Sequence, residues 1–399
     1  MIIFRNRSSV CWVFILLIAC LPLSTRAELA IEPTPNVKAL TSNYPDHWMF
    51  IHDLNFASMV AGRVVIIDPA AASRQYKGAI GAGQMATFRP SRSRPELYVA
   101  ESFYARGIDG ARTDVLTIYD TATLDKTGEI VLPGGKRGQF VTQKASFVLT
   151  GDDRFGLIFN FTPAASVTVV DLIGRKVVGE TPVIRKVLGA IPMPGCAFMY
   201  PTGMHGFTSL CGNGGLVSFV LDAKGKVVER KVGAPFNDID HDAMFMKTAV
   251  IDGVAYFPTF TGHVRPIDLS GKFAKILDAW SLVSKAERKK NWRPGGWQLI
   301  TSDGHGRFYV LMQKNGKEGS HKNGGGEVWV FDPKSRSRVA RIPLKSWGIS
   351  IEATKSTPSY LVVVNADMNL DVYDAGTGHW LRQIGGGLAD SPYALYSVE

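Results

Sequence analysis

The sequence predicts an all-β protein: a seven-bladed β-propeller of four-stranded antiparallel blades, with a short inserted helix. Three observations predict it. A short apolar run ending in aspartate recurs along the chain, closing at Asp68, Asp120, Asp171, Asp222, Asp268, Asp332 and Asp374. Successive aspartates lie 52, 51, 51, 46, 64 and 42 positions apart, and a period of about 40–50 residues with several strands per unit marks a propeller. Each run is preceded by another, such as Leu97–Ala100, Gly156–Phe159, Val254–Phe257 or Tyr360–Val364, rich in β-branched and aromatic side chains. Turn residues follow each aspartate, whose carboxylate accepts from backbone just beyond it while nearby glycines tolerate positive φ.

The composition is that of a globular chain able to bury a large core, at 45% hydrophobic and 20% charged residues. Its formal charge of +10 is spread through loops such as 285–290. There is no basic stripe with interleaved aromatics, which argues against a nucleic-acid partner.

The N-terminus reads as an export signal over residues 1–27. Arg5 and Arg7 precede an apolar run from Val10 to Leu21, and Thr25-Arg26-Ala27 places small residues at the −3 and −1 positions of a cleavage before Glu28. The apolar run is about a dozen residues long, too short to span a bilayer as a helix. A lipoprotein reading, with Cys20 of Leu17-Ile-Ala-Cys20 lipidated, is the alternative. Soluble export is preferred because Leu21-Pro-Leu23 prolongs the apolar run before a conventional cleavage site. Losing Arg5, Arg7 and Arg26 takes the charge from +10 to +7.

Residues 28–45, with Pro33, Pro35 and Pro45, read as an extended arm, and 46–399 as the propeller. The first blade begins near His47, with strands at Trp48–His52 and Arg63–Asp68. Ser102–Asp114 is an extended hairpin connection of the kind that carries function. The long gap between Asp268 and Asp332 contains Ser284 and Glu287 at capping-box spacing, which predicts a short helix. The same unit holds Lys314–Gly326, a Gly/Lys/Asn loop long enough to reach a partner. The last strand, around Tyr393–Tyr396, pairs with N-terminal residues to seal the ring.

Removal of the leader leaves Cys196 and Cys211, fifteen positions apart in one repeat. In an exported chain this pair reads as a disulfide staple; a redox pair wants spacing such as C-x-x-C. Asn237–Asp242 concentrates three carboxylates and an imidazole, but without the glycine and distal glutamate of an EF-hand it reads as a solvated turn. His205, His263, His305 and His321 sit in or beside turns without ligand spacing for zinc. The glycine runs 212–215, 324–326 and 385–387 lack the strand-loop-helix context of a phosphate loop, and no serine occupies a nucleophile elbow. The residues therefore assign no catalytic, cofactor or metal role to this chain. In Asn291-Trp-Arg-Pro-Gly-Gly-Trp-Gln298 two tryptophans flank a Pro-Gly kink, with Arg293 placed to stack on an indole.

Asn291–Gln298, with Lys285–Arg288 before it, resembles the large subunit of bacterial tryptophan-tryptophylquinone amine dehydrogenases. The resemblance covers essentially the whole mature chain and includes Arg112–Asp114, Phe257–Gly262, Ile267–Ser270 and the Cys196…Cys211 pair. Lys317–Lys322 and Arg338–Pro343 are somewhat closer to the aromatic-amine branch than to the methylamine branch. The resemblance implies a periplasmic propeller assembled as two large and two small subunits, with no cofactor in this chain. Tryptophan tryptophylquinone and the catalytic base would belong to the small subunit. Amine would be oxidised to aldehyde and ammonia, and electrons passed singly to a cupredoxin such as azurin or amicyanin. Members carry a Phe on the substrate-channel wall, in the loop after the first blade's outer strand. Here that loop is Gly81–Phe88, with Gln84 or Met85 at the matching place. The competing reading is a free-standing exported propeller that binds a ligand or hydrolyses a lactone, which needs a polar cluster at the central channel; a third is a structural propeller without an enzymatic partner.

Overall fold

Short antiparallel strands joined by tight turns make up almost all of the described chain, with one five-residue helix and two single 3₁₀ turns. The computed structural model describes residues 39–56, 61–83, 85–132, 143–161, 165–175, 184–385 and 387–398. The export signal, Cys20 and the start of the arm lie outside the described residues, as does Gln84. The end of the arm is docked. Leu40 N–H donates to the Ala122 carbonyl at 2.8 Å and the Tyr44 hydroxyl to that of Thr121 at 2.6 Å.

The first sheet runs in the order Pro392–Ser397, Met49–Asp53, Ala61–Ile67, Tyr76–Gly83. Met49 pairs with Ser397 and Ile51 with Leu395, so the last strand of the chain closes onto the first, as expected. The next three sheets each use four consecutive strands, beginning at Thr87–Pro90, Phe147–Leu149 and Cys196–Thr202. The fifth is built on Ala249–Ile251, Val254–Pro258 and His263–Asp268, with two short strands pairing on the last of these.

Seven separate four-stranded blades do not form. Five blades stand as separate sheets of four or five strands, while the strands from Arg293–Pro294 to Trp380–Ile384 join into one continuous eight-stranded sheet. The cause is the strand Ser337–Ala353, seventeen residues long, whose first part pairs with Gly325–Asp332 and whose second part pairs with Tyr360–Asn365. It stays extended through the crossover because backbone groups there find partners. Lys345 N–H donates to the Tyr373 hydroxyl at 2.8 Å, and the Trp347 carbonyl accepts from Ala366 N–H at 2.9 Å.

Burial explains the strand sequences. Phe155–Asn160 and Phe308–Gln313 are buried throughout, because a middle strand is covered on both faces by neighbouring sheets. The outermost strand Val227–Val232 is exposed throughout and mixes valine with charge. Rings fill the space between sheets: Tyr256 of one sheet stacks on Phe308 of the next at 5.1 Å, and Phe308 stacks in turn on its cross-strand partner Phe331 at 5.2 Å.

The repeated aspartates do what their position suggested. Asp68, Asp120, Asp171, Asp222, Asp268, Asp332 and Asp374 each accept from a backbone N–H two or three residues further on. At Asp222 the turn closes through Gly225 at φ 73°, a conformation that a side chain would strain. The inserted helix is Lys285–Lys289, and Ser284 with Glu287 forms the capping box. Cys196 and Cys211 lie opposite each other on paired strands and are disulfide-bonded.

Candidate functional site

Successive antiparallel strands reverse direction, so turns alternate between the two ends of each sheet. The aspartate turns join the third strand of a sheet to its fourth and share one end. The connections that enter each new sheet emerge at the other, together with those joining its second and third strands. That second face carries the longer segments: 233–248, 277–299, 314–324 and the extended hairpin Glu96–Arg106/Asp109–Asp120. The hairpin is a paired ladder nearly to its tip, where Ile108 is exposed.

Met85 belongs to this face, half-buried in a tight turn in which Ala86 N–H donates to the Gly83 carbonyl at 3.0 Å. The turn is held from beneath by the buried carboxylate of Glu101, which accepts from Gly83 N–H at 2.7 Å and from the Thr117 hydroxyl at 2.5 Å. The aromatic surface comes from other connections of the same face. Phe56 meets Tyr393 edge-on at 5.5 Å, Tyr393 meets Trp297 at 5.9 Å, and the Lys247 ammonium lies 5.0 Å from the Trp297 ring. Burial lowers the Lys247 pKa to about 8, helped by the nearby charge of Lys322. Beside it His321 stacks on Phe260 at 4.5 Å, and burial together with Lys322 and Lys247 lowers its pKa. Four distant stretches build this surface, so no local motif announced it.

The peculiar stretch 291–298 splits between two jobs. Trp297 lies on the aromatic run. Trp292 is buried 5.0 Å from Trp329. The cation over Trp292 is Arg341, not the expected Arg293; Arg341 also covers Trp329, and Arg338 lies 4.2 Å from Trp329. Trp329 Nε1 donates to Glu327 at 2.7 Å, and Arg341 binds that same carboxylate. These two indoles are thereby engaged in a packed clamp with two arginines and a glutamate.

The 237–242 turn is held by hydrogen bonds. Asp238 accepts from His241 N–H at 3.0 Å, and Asp242 from the Thr261 hydroxyl at 2.6 Å. Asp242 also receives His263 Nδ1 at 2.9 Å, while Arg288 from the inserted helix lies 3.2 Å from His263 Nε2. His205 pairs with Asp152, and His305 Nε2 lies 2.8 Å from the Ser356 carbonyl. Among the described residues no three of His, Cys, Asp and Glu gather as metal ligands.

This combination defines the class: a ring of antiparallel sheets with one face of short aspartate turns and one of long, aromatic-bearing connections. The family model of the methylamine dehydrogenase heavy chain matches residues 48–395, and the chain belongs to that family. It is 29% identical over 287 residues to the methylamine dehydrogenase heavy chain of Methylorubrum extorquens, an alignment spanning 70% of this chain and 66% of that one. To the corresponding chain of Methylophilus methylotrophus it is 26% identical, over 92% of this chain and 91% of the other. Among solved structures, the periplasmic gluconolactonase of Pseudomonas aeruginosa superposes with a TM-score of 0.58 at 14% identity, over 88% of this chain and 99% of that one. The dihydro-heme d1 dehydrogenase NirN gives 0.50 at 14%, over 93% and 78%. At such identities the likeness is one of fold. Among the described residues no helix is long and apolar enough to cross a membrane.

Proposed function

We propose that this chain is the large, scaffold subunit of a periplasmic quinoprotein amine dehydrogenase. In this reading two copies assemble with two small subunits, and the small subunit holds tryptophan tryptophylquinone and the catalytic base. The overall reaction balances as a primary amine plus water giving aldehyde, ammonia, two protons and two electrons, the electrons leaving singly to a cupredoxin. The observation that carries the reading is the family match, which runs from the first strand of the ring almost to the last.

The quinone would supply the electrophilic carbonyl and the two-electron sink. This chain would shape the approach to it. Phe56, Tyr393 and Trp297 offer flat apolar surface on the long-connection face, and Gln84 or Met85 would stand where the resemblance puts the channel-wall residue. Lys247 puts a positive charge beside Trp297, which repels a protonated amine at that end of the run.

The test is purification from the native periplasm, followed by visible absorption of whatever co-purifies. A disulfide-rich partner with a visible band bleached by methylamine or 2-phenylethylamine establishes the reading, and the better of the two amines names the substrate branch. A colourless chain that purifies alone overturns it. With an active complex, Met85→Phe should change KM between the two amines while leaving the visible band in place.

A further inference from the structure

The inner strands of a propeller line its axis, and here they bring together residues far apart in sequence. Glu352, on the long strand, accepts from Lys144 Nζ at 2.8 Å and from Gln298 Nε2 at 2.7 Å through one oxygen. Its other oxygen takes Ser397 N–H at 3.3 Å and the Ser397 hydroxyl at 3.0 Å. With those donors satisfied, the carboxylate is turned into the wall, and only 5% of its side chain is exposed.

The cations are placed differently. Lys144 keeps 32% of its side-chain surface open although protein surrounds it. Its ammonium lies 4.8 Å from the Tyr396 ring, and the Arg89 guanidinium lies 5.1 Å from the same ring. Lys355 anchors on Ser302 and is close enough to act on both Lys144 and Glu352. Arg89 and Lys355 are also only half-buried. Three cations thus face one carboxylate, and the carboxylate is the sealed partner. Both members of the central pair register the surplus. Burial, then Arg89 and Lys355, lower the Lys144 pKa against the pull of Glu352; the lysines outweigh burial at Glu352 and hold its carboxyl below the usual range. Tyr396 is 3% exposed, and among the described residues its buried hydroxyl has no hydrogen-bond partner.

An uncompensated positive field inside a protein is costly, and the neutral groups that hold two of these cations, the Lys144 carbonyl for Arg89 and Ser302 for Lys355, leave their charge in place. A fixed group of cations with a spare hydroxyl donor is instead what an oxyanion requires. We propose that the axis of the propeller is a binding site for a small oxyanion, of the phosphate or carboxylate class. Lys144, Arg89 and Lys355 supply the charge and Tyr396 a neutral donor. Glu352 positions the Lys144 ammonium and does not touch the ligand. The site goes beyond the dehydrogenase reading, and its test needs no quinone.

The experiment is calorimetric titration of the full mature chain with inorganic phosphate, and separately with citrate, ionic strength being balanced with sodium chloride. Saturable binding to one site is expected, and the tighter of the two anions assigns the class. Lys355→Met leaves the Lys144–Glu352 pair in place and should weaken binding about tenfold. Arg89→Met should do the same, while Lys275→Met, on the exposed outer strand that pairs with Asp268, should change nothing. Circular dichroism and the melting temperature of each variant report folding separately. No saturable heat from either anion, or a folded Lys355→Met that binds as tightly as the parent, overturns the proposal.

Discussion

Asp242 Oδ2 and His263 Nδ1 lie 2.9 Å apart, and this contact ties the long 233–248 connection to the strand His263–Asp268, the third of the sheet that the connection enters. The other ring nitrogen, Nε2, lies 3.2 Å from Arg288, so the imidazole links a carboxylate on one connection to a guanidinium on the inserted helix.

This linkage has a pH signature. Burial pushes the Asp242 carboxyl up, but hydrogen bonds from Thr259, Thr261 and His263 outweigh it and leave its pKa below the usual value. A folded pKa below the unfolded one gives stability that is complete above the unfolded value, about 4, and is lost as pH falls through the folded value. Asp242→Asn should cost about 1–3 kcal/mol at pH 7 and progressively less toward pH 3. Denaturation curves at both pH values check this; an equal deficit at each would sink the linkage.

Cys196→Ser should lower stability by about 3 kcal/mol, the chain-entropy value for a loop of this length. The urea midpoint measures it, and the parent protein under strong reductant should fall to the level of the variant. The visible band of an assembled complex should not move. A variant as resistant to urea as the parent would show that the bond contributes nothing to stability.

Arg341 spans two indoles and a carboxylate, so its removal costs more than a surface charge should. Arg341→Met is expected to lose about 1–2 kcal/mol. Arg341→Lys should recover less than half, because an ammonium cannot reproduce the two-pronged contact with Glu327. Thermal melts of the two variants decide this, and a fully restored lysine variant would reduce the clamp to simple charge.

Lys247 should react as an amine with a pKa near 8, well below the ordinary lysine range. Acylation followed by mass spectrometry, as a function of pH, should show half-maximal reactivity at about that pH, while lysine model peptides, with a pKa of about 10.4, rise later. A Lys247 profile that coincides with theirs would mean the amine is better solvated than its position over Trp297 indicates.

What the sequence revealed and what it hid divide by distance along the chain. The aspartate turns, the Ser284–Glu287 cap and the Cys196–Cys211 bridge depend on partners at most fifteen positions away, and each leaves a readable pattern. The ring closure was also readable, because a terminal run of strand residues has few places to go. The fused eight-stranded sheet was not. It requires Ser337–Ala353 to remain extended past Pro343 and Gly348, two residues that usually punctuate a strand, and the support comes from Tyr373 and Ala366. Arg341 displaced Arg293 as the stacking partner of Trp292 for a similar reason: cross-strand neighbours are set by register, not by sequence proximity. The aromatic face and the Lys144–Glu352 pair, whose members are 208 positions apart, have no period or motif at all.

The pairing of Met49–Asp53 with Pro392–Ser397 also imposes a timetable. A ribosome adding about 5–20 residues per second needs roughly 20–70 s to travel from one strand to the other. Throughout that interval the first sheet lacks its innermost strand, and its exposed edge is open to any passing chain. A chaperone or a translocation channel that holds the polypeptide has the whole of that interval in which to act. The ring becomes a ring only when Pro392–Ser397 has arrived.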